Sequence, residues 1–225
     1  MLNTTYGTLI QMTSSNNILG EKLYEGRGGK LLEGKHTSIH RNGIAGEGLY
    51  ILWPDIEQIF IGGEIDSYNS IPSGEFRSIM VADSNKHEIS LEFIAVFRMK
   101  QGNRNQFENV YAFILKNIAE TQWTKFMQTI NSGGNYSFGN FYISRDGFYF
   151  SKVVSTWRGA KEAFDKIETR YIKKGIMSNG RFYIQYQDPN KKLKLRTEGV
   201  GEVRHIPNVH IVQAYINYIN TTIVL

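Results

Sequence analysis

Cysteine is absent from the 225 residues, which excludes disulfides, thiolate catalysis and cysteine-ligated zinc. Long apolar runs are also missing. The densest, Tyr111-Ala112-Phe113-Ile114-Leu115, falls far short of the roughly eighteen residues that a membrane-spanning helix needs. The first residues, Met1-Leu2-Asn3-Thr4-Thr5, lack the basic start and apolar stretch of a signal peptide. Hydrophobic residues make up 41% and charged residues 21%, which is a globular profile rather than a disordered one. The expectation is a soluble, cytoplasmic protein with room for one large domain or two small ones.

Charge is unevenly spread. Residues 1–132 hold 12 Lys/Arg against 14 Asp/Glu, and residues 133–225 hold 14 against 7, so the halves carry −2 and +7 and sum to +5. A basic C-terminal half suits a membrane surface, a nucleic acid or an acidic protein, and it equally suits a solvated face that keeps the chain soluble.

An internal repeat organises the chain. Gly28-Gly29 followed by Gly34 recurs as Gly133-Gly134 followed by Gly139. Ile39-His40-Arg41-Asn42-Gly43-Ile44 recurs as Ile143-Ser144-Arg145-Asp146-Gly147-Phe148. Trp53-Pro54-Asp55-Ile56-Glu57 aligns with Phe164-Asp165-Lys166-Ile167-Glu168, and Asp83-Ser84-Asn85-Lys86 with Asp188-Pro189-Asn190-Lys191. Asn109-Val110 and Asn208-Val209 each open an apolar helical pattern. The five blocks keep one order, with shifts between 99 and 111. On this alignment copy two has 7 extra residues between Gly147 and Phe164, and copy one has 7 extra between Ile56 and Arg77. Three segments follow: copy one at 20–118, a connecting segment at 119–131 expected to be helical, and copy two at 132–222.

Within each copy the pattern is many short strands and then a helix. Asn42-Gly43 and Asp146-Gly147 are two-residue hairpin signals of the type that needs positive φ at both positions. Asp-x-Asn-Lys lies between two alternating patterns and reads as a second turn. Val110, Ile114 and Ile118, with Phe107, Tyr111 and Leu115 beside them, form a helical stripe, and Asn105 with Glu108 resembles a capping pair. In copy two Pro207 suits a first helical turn, and Val209, Val212, Tyr215, Ile216 and Ile219 make the apolar face.

The order Gly-Gly, Ile-x-x-x-Gly, Trp/Phe-x-x-Ile-Glu, Arg-x-x-x-Ile and a C-terminal Asn-Val helix resembles the bacterial pleckstrin-homology-like domain, present as a tandem pair over residues 20–220. The resemblance implies a mainly β fold of the β-barrel type: two partly open seven-stranded barrels, each capped by its C-terminal helix. It implies a binding scaffold for lipids, peptides or protein domains, with no catalysis and no cofactor. Lipid-binding members carry a Lys…Lys-x-Arg pattern across the first hairpin. Lys35 and Arg41 in copy one, and Arg145 and Lys152 in copy two, do not reproduce it.

Candidate chemistry is sparse. Gly29-Lys30-Leu31-Leu32-Glu33-Gly34-Lys35 matches a phosphate loop up to its last position, where His36 replaces the Ser or Thr that binds magnesium. Copy two keeps glycines at 134 and 139 but has Asn140 where Lys35 stood, so the glycines recur for backbone reasons. Of the five histidines, at 36, 40, 87, 205 and 210, His36 and His40 could face one side only in a helix but lie in a strand pattern, and His205 and His210 flank a proline with no carboxylate or cysteine at ligand spacing, so they read as structural. The nucleophile elbow Gly-x-Ser-x-Gly is absent. Asp55/Glu57 and Glu64/Asp66 are carboxylate pairs near turns.

The remaining candidate is basic. Lys161, Lys166, Arg170, Lys173 and Lys174 surround one strand region. Lys192, Lys194 and Arg196 alternate with Leu193 and Leu195, so the three share a strand face, with Lys191 at its end. These four residues, Lys191, Lys192, Lys194 and Arg196, are the candidate site for an anionic partner. A solvated face ranks first, then an acidic protein or an anionic membrane surface, with nucleic acid last. The expected function is a non-enzymatic interaction module that binds a protein partner or docks peripherally on a membrane. The alternatives are an enzyme with a site in the groove between the copies, or a structural subunit assembling through exposed strand edges.

Overall fold

β-branched and aromatic residues alternate with polar ones through most of the chain, and strands form wherever that alternation holds. The computed structural model describes residues 18–28, 35–46, 48–68, 71–96, 101–156, 159–191 and 194–222. Strands dominate, two helices accompany them, and the chain divides into two units at Ile118/Ala119.

The first unit contains β1 (Lys22–Gly28), β2 (Lys35–His40), β3 (Gly43–Gly46), β4 (Leu49–Leu52), β5 (Ile56–Tyr68), β6 (Ile71–Asp83) and β7 (Glu88–Val96). They form one antiparallel sheet in the order β4-β3-β2-β1-β7-β6-β5. Helix α1 (Gln101–Asn131) follows, and its first half closes this unit. Its stripe of Phe107, Val110, Ile114 and Ile118 is buried against Ile44, Ile79, Val81 and Leu91 of the sheet.

The second unit repeats the plan. It contains β8 (Tyr136–Ser137), β9 (Phe141–Ser144), β10 (Gly147–Thr156), β11 (Gly159–Glu168), β12 (Ile172–Ser178), β13 (Arg181–Asp188), β14 (Lys194–Glu202) and then α2 (Val209–Thr222). Here the strands form two sheets, β11-β10-β9-β8 and β12-β13-β14. The sheets of both units are open, with unpaired terminal strands, and are not closed barrels. Residues 119–131, expected as a connecting segment, are the second half of α1. They bury Phe126 and Ile130, and the Phe126 ring meets those of Tyr136, Phe138 and Tyr215 at centroid distances of 5.3, 6.0 and 5.0 Å. α2 buries Val209, Val212, Tyr215, Ile216 and Ile219, the face expected from its periodicity.

Two local devices recur in the two units. A Cβ on Gly43, the first residue of β3, would stand 2.4 Å from the Ile51 carbonyl oxygen, and one on Gly147, the first of β10, would stand 2.8 Å from that of Ile167. Both glycines are therefore required by close strand approach. Asn42, Gly43, Asp146 and Gly147 all have negative φ, which corrects the expected turn type. The hairpin with two positive φ angles is Asn179-Gly180, between β12 and β13, at 51° and 69°. The second device is the Asp turn. Asp83 Oδ1 accepts the Asn85 N–H at 2.8 Å, and Asp188 Oδ1 accepts the Asn190 N–H at 2.9 Å.

These anchors revise the alignment. Gly43 pairs with Leu52 and Gly147 with Glu168, and each partner leads into a short 3-10 turn, Trp53–Asp55 or Thr169–Tyr171. The Trp53 N–H donates to the Asn42 carbonyl (3.0 Å), and the Thr169 N–H to that of Asp146 (3.3 Å). The counterpart of Ile56 is thus Ile172. Phe164 lies inside β11, 49% exposed, whereas Trp53 is 5% exposed and meets Phe113 edge-on at 6.0 Å. Ile56-Glu57 and Ile167-Glu168 are therefore not equivalent: the first opens β5 and the second closes β11.

Gly43 precedes Ile56 by 13 residues and Gly147 precedes Ile172 by 25, so the second unit gains 12 in its β10–β11 hairpin rather than 7. Ile56 precedes Asp83 by 27 residues and Ile172 precedes Asp188 by 16, so the first unit gains 11 in β5–β6 rather than 7. Asn109 is not equivalent to Asn208. It lies within α1, which begins at Gln101 and so passes through the expected Asn105 cap, while Asn208 precedes α2 with φ 54°. Pro207 falls just outside α2, because the left-handed Asn208 separates it from the helix. Gly29–Gly34 lie outside the described residues, and with them most of the loop that resembles a phosphate loop.

Candidate functional site

The Asp turns fix the register of the strands beside them. Four residues before Asp83 and Asp188 are Ile79 and Ile184, both fully buried. In the first unit Ile79 faces Leu91, and Val81 faces Ile89. All four are buried core residues. In the second unit Ile184 faces Glu198, and Tyr186 faces Arg196. Two core positions of β7 are therefore ionic in β14. Ionised groups are too costly to bury unpaired, so this end of the second unit does not pack shut.

What lies there is a cavity of about 620 Å³. Asn140, Phe150 and Ser151 line it from the β8–β11 sheet and its turns, Asp165, Lys166, Ile167 and Glu168 from β11, and Glu198, Gly199 and Val200 from β14. Tyr171, Tyr186 and Asp188 complete its polar wall. Four of the seven carboxylates between 133 and 225 line this one space.

Some of these charges are matched. Arg196 Nε lies 3.0 Å from Asp188 Oδ2, and Arg170 Nε lies 2.8 Å from Glu168 Oε2. Lys166 turns its ammonium to Asp146, beside the Ser144 and Tyr149 hydroxyls. Lys166 first, and then the Ser144 hydroxyl, hold the Asp146 carboxyl well below the usual carboxylate range, and Asp146 in turn raises Lys166. Glu198 has no salt-bridge partner among the described residues.

Of the basic candidates, Arg196 reaches the cavity wall, at Asp188. Lys191 ends the 3-10 turn Pro189–Lys191, and Lys192 lies outside the described residues. Lys194 and Arg196 share one face of β14 and both are exposed. Arg196 is committed to Asp188, so the strip adjoins the carboxylates rather than standing apart from them. Leu195, on the opposite face, is itself 57% exposed. The sequence shows the alternation along β14, but only its register against β13 reveals which face lies opposite the buried Ile184. The side chains of Lys161, Glu64 and Asp66 lie outside the described residues. Lys173 and Lys174 are exposed on β12.

Among the histidines, His36 and His40 lie in β2, as expected. His87 Nδ1 contacts Asp83 at 2.9 Å. His210, in the first turn of α2, is the exception to the structural reading: both ring nitrogens are buried without a hydrogen-bond partner among the described residues, and burial pushes its pKa down to about 4. Among the described residues no group of three or more His, Asp or Glu is arranged to hold a metal ion. No helix among them is long and apolar enough to cross a membrane. No protein-family model matches the chain, and no curated protein matches it.

Proposed function

We propose that the chain is a non-enzymatic interaction module, built from two pleckstrin-homology-like units in tandem, that binds a protein partner. The observation that carries this reading is the repeated plan of seven strands and a helix. The residues that recur in it, Gly43/Gly147, Asp83/Asp188 and Ile56/Ile172, shape backbone and core. The largest difference in length between the units lies in their hairpins: β5–β6 is the long hairpin in the first and β10–β11 in the second. Surface hairpins vary in this way where they meet different partners, while the scaffold stays constant.

A protein partner fits better than an anionic bilayer. Arg196 of β14 pairs with Asp188, one of four carboxylates that line the cavity, and a surface of mixed sign suits a polypeptide of matching pattern.

The test uses the full chain as bait in native extract, with captured proteins identified by mass spectrometry. Vesicle sedimentation with anionic and neutral lipids runs in parallel. The expected result is a specific protein partner and no lipid binding at low salt. Salt-sensitive vesicle binding lost on replacing Lys191, Lys192, Lys194 and Arg196 by glutamine, with no protein captured, would overturn the reading in favour of membrane docking.

A further inference from the structure

β7 has a neighbour on each side, β6 and β1, the latter antiparallel with Arg27 opposite Glu92. Its counterpart β14 pairs, among the described residues, only with β13. The cause lies in the first hairpin of each unit. Tyr24 opposite Ile39 and Tyr136 opposite Ile143 hold the same register. Beyond Tyr24 the chain continues to Gly28 and re-enters the sheet at Lys35. Beyond Tyr136 it turns at once, with the Phe138 N–H donating to the Phe141 carbonyl at 2.8 Å, and is already in β9.

The residues that would correspond to Gly26, Arg27 and Gly28 do not exist in the second unit, and its two sheets separate where β1 joins them in the first. Asn140 covers one end of the exposed edge, its Nδ2 donating to the Val200 carbonyl at 2.6 Å. From Lys194 to Gly199 no strand among the described residues pairs with this edge, and Glu198 and Gly199 border the cavity.

We propose that this edge receives an extended segment of a partner polypeptide, antiparallel to β14 as β1 is to β7, with a Lys or Arg side chain entering the cavity toward Glu198. The inference rests on the protein-binding reading above and names where and what that partner offers. An unpaired edge supplies backbone donors and acceptors in register, which gives affinity, and a side-chain pocket beside it gives selection. The charge is specific: within a stretch of net charge +7, the carboxylates concentrate around this space. A guanidinium suits it best, since its planar fork can take both oxygens of the Glu198 carboxylate at once.

The experiment selects random seven-residue peptides displayed on phage against the full chain. The strongest peptide is then synthesised with a fluorophore, and its affinity is measured by anisotropy. The expected peptide carries one fixed Lys or Arg between β-branched or aromatic residues. Its binding weakens at least about tenfold when that residue becomes norleucine or when the protein carries Glu198→Lys, and is unchanged by Glu108→Lys on α1. Glu198→Gln, with the same volume, repeats the test should the lysine variant fail to fold. Peptides without a basic residue, no enrichment at all, or binding indifferent to both Glu198 variants would overturn the proposal. A natural partner still captured by Glu198→Lys would contradict this site while leaving the interaction-module reading in place.

Discussion

Glu198 stands in β14 where Leu91 stands in β7: each lies opposite a fully buried isoleucine, Ile184 or Ile79, four residues before the aspartate of the following turn. One position of a shared plan has thus gone from core to ionic. Leu91→Glu should collapse the first unit, because it places an unpaired carboxylate in a closed core at a cost of several kcal/mol. Glu198→Leu should be neutral or stabilising by about 1 kcal/mol in the second unit, since it relieves like charge around the cavity. Urea denaturation of the two variants checks this, and equal losses in both would contradict the register.

Trp53→Ala should cost about 3–5 kcal/mol, as large aromatic truncations in cores do. The ring is buried, packs against Phe113, and its Nε1–H donates to the Arg41 carbonyl at 2.9 Å. Phe164→Ala should cost under about 1 kcal/mol, because its ring is about half exposed and has less to lose. Unfolding midpoints of the two variants separate the structural alignment from the one read off the sequence.

That alignment shows how much of the fold the chain declares on its surface. The Asp-x-Asn-Lys turns, the Gly43 and Gly147 strand starts and the helical stripes were legible, because each depends on local chemistry within a few residues. Ile56-Glu57 and Ile167-Glu168 share letters but not place: the first opens a strand and the second closes one, and a dipeptide cannot say which. The positive φ angles of Asn179-Gly180 are signalled by its composition, which Asn42-Gly43 shares without adopting them. The cavity was not legible, because it depends on which face of β14 turns inward and on a hairpin too short to close the seam.

Gly147→Ala should destabilise the second unit by about 1–3 kcal/mol, since the added Cβ meets the backbone oxygen of Ile167, which cannot swing away. Ser151→Ala, at the cavity wall, should change stability by under about 1 kcal/mol. Thermal unfolding of both variants checks the contrast.

His210 gives the second unit an acid-sensitive element. Its folded pKa is lowered to about 4, below the ordinary value of 6.5, because burial disfavours the imidazolium. Between those values the unfolded chain binds more protons, so stability falls as pH drops from about 6.5 toward 4, by on the order of 3 kcal/mol in full. His210→Leu should flatten that part of the stability profile. An unchanged slope in urea titrations at pH 7, 6, 5 and 4 would place the acid sensitivity elsewhere.

Amide hydrogen exchange across β14, with and without the selected basic peptide, tests most directly whether the chain works by taking a partner's strand. Bound peptide should slow exchange in Lys194–Gly199 at least about tenfold and leave Leu49–Leu52, the terminal strand of the first unit's sheet, unchanged. Peptide that binds while exchange in Lys194–Gly199 stays as fast as in the free chain would contradict the account.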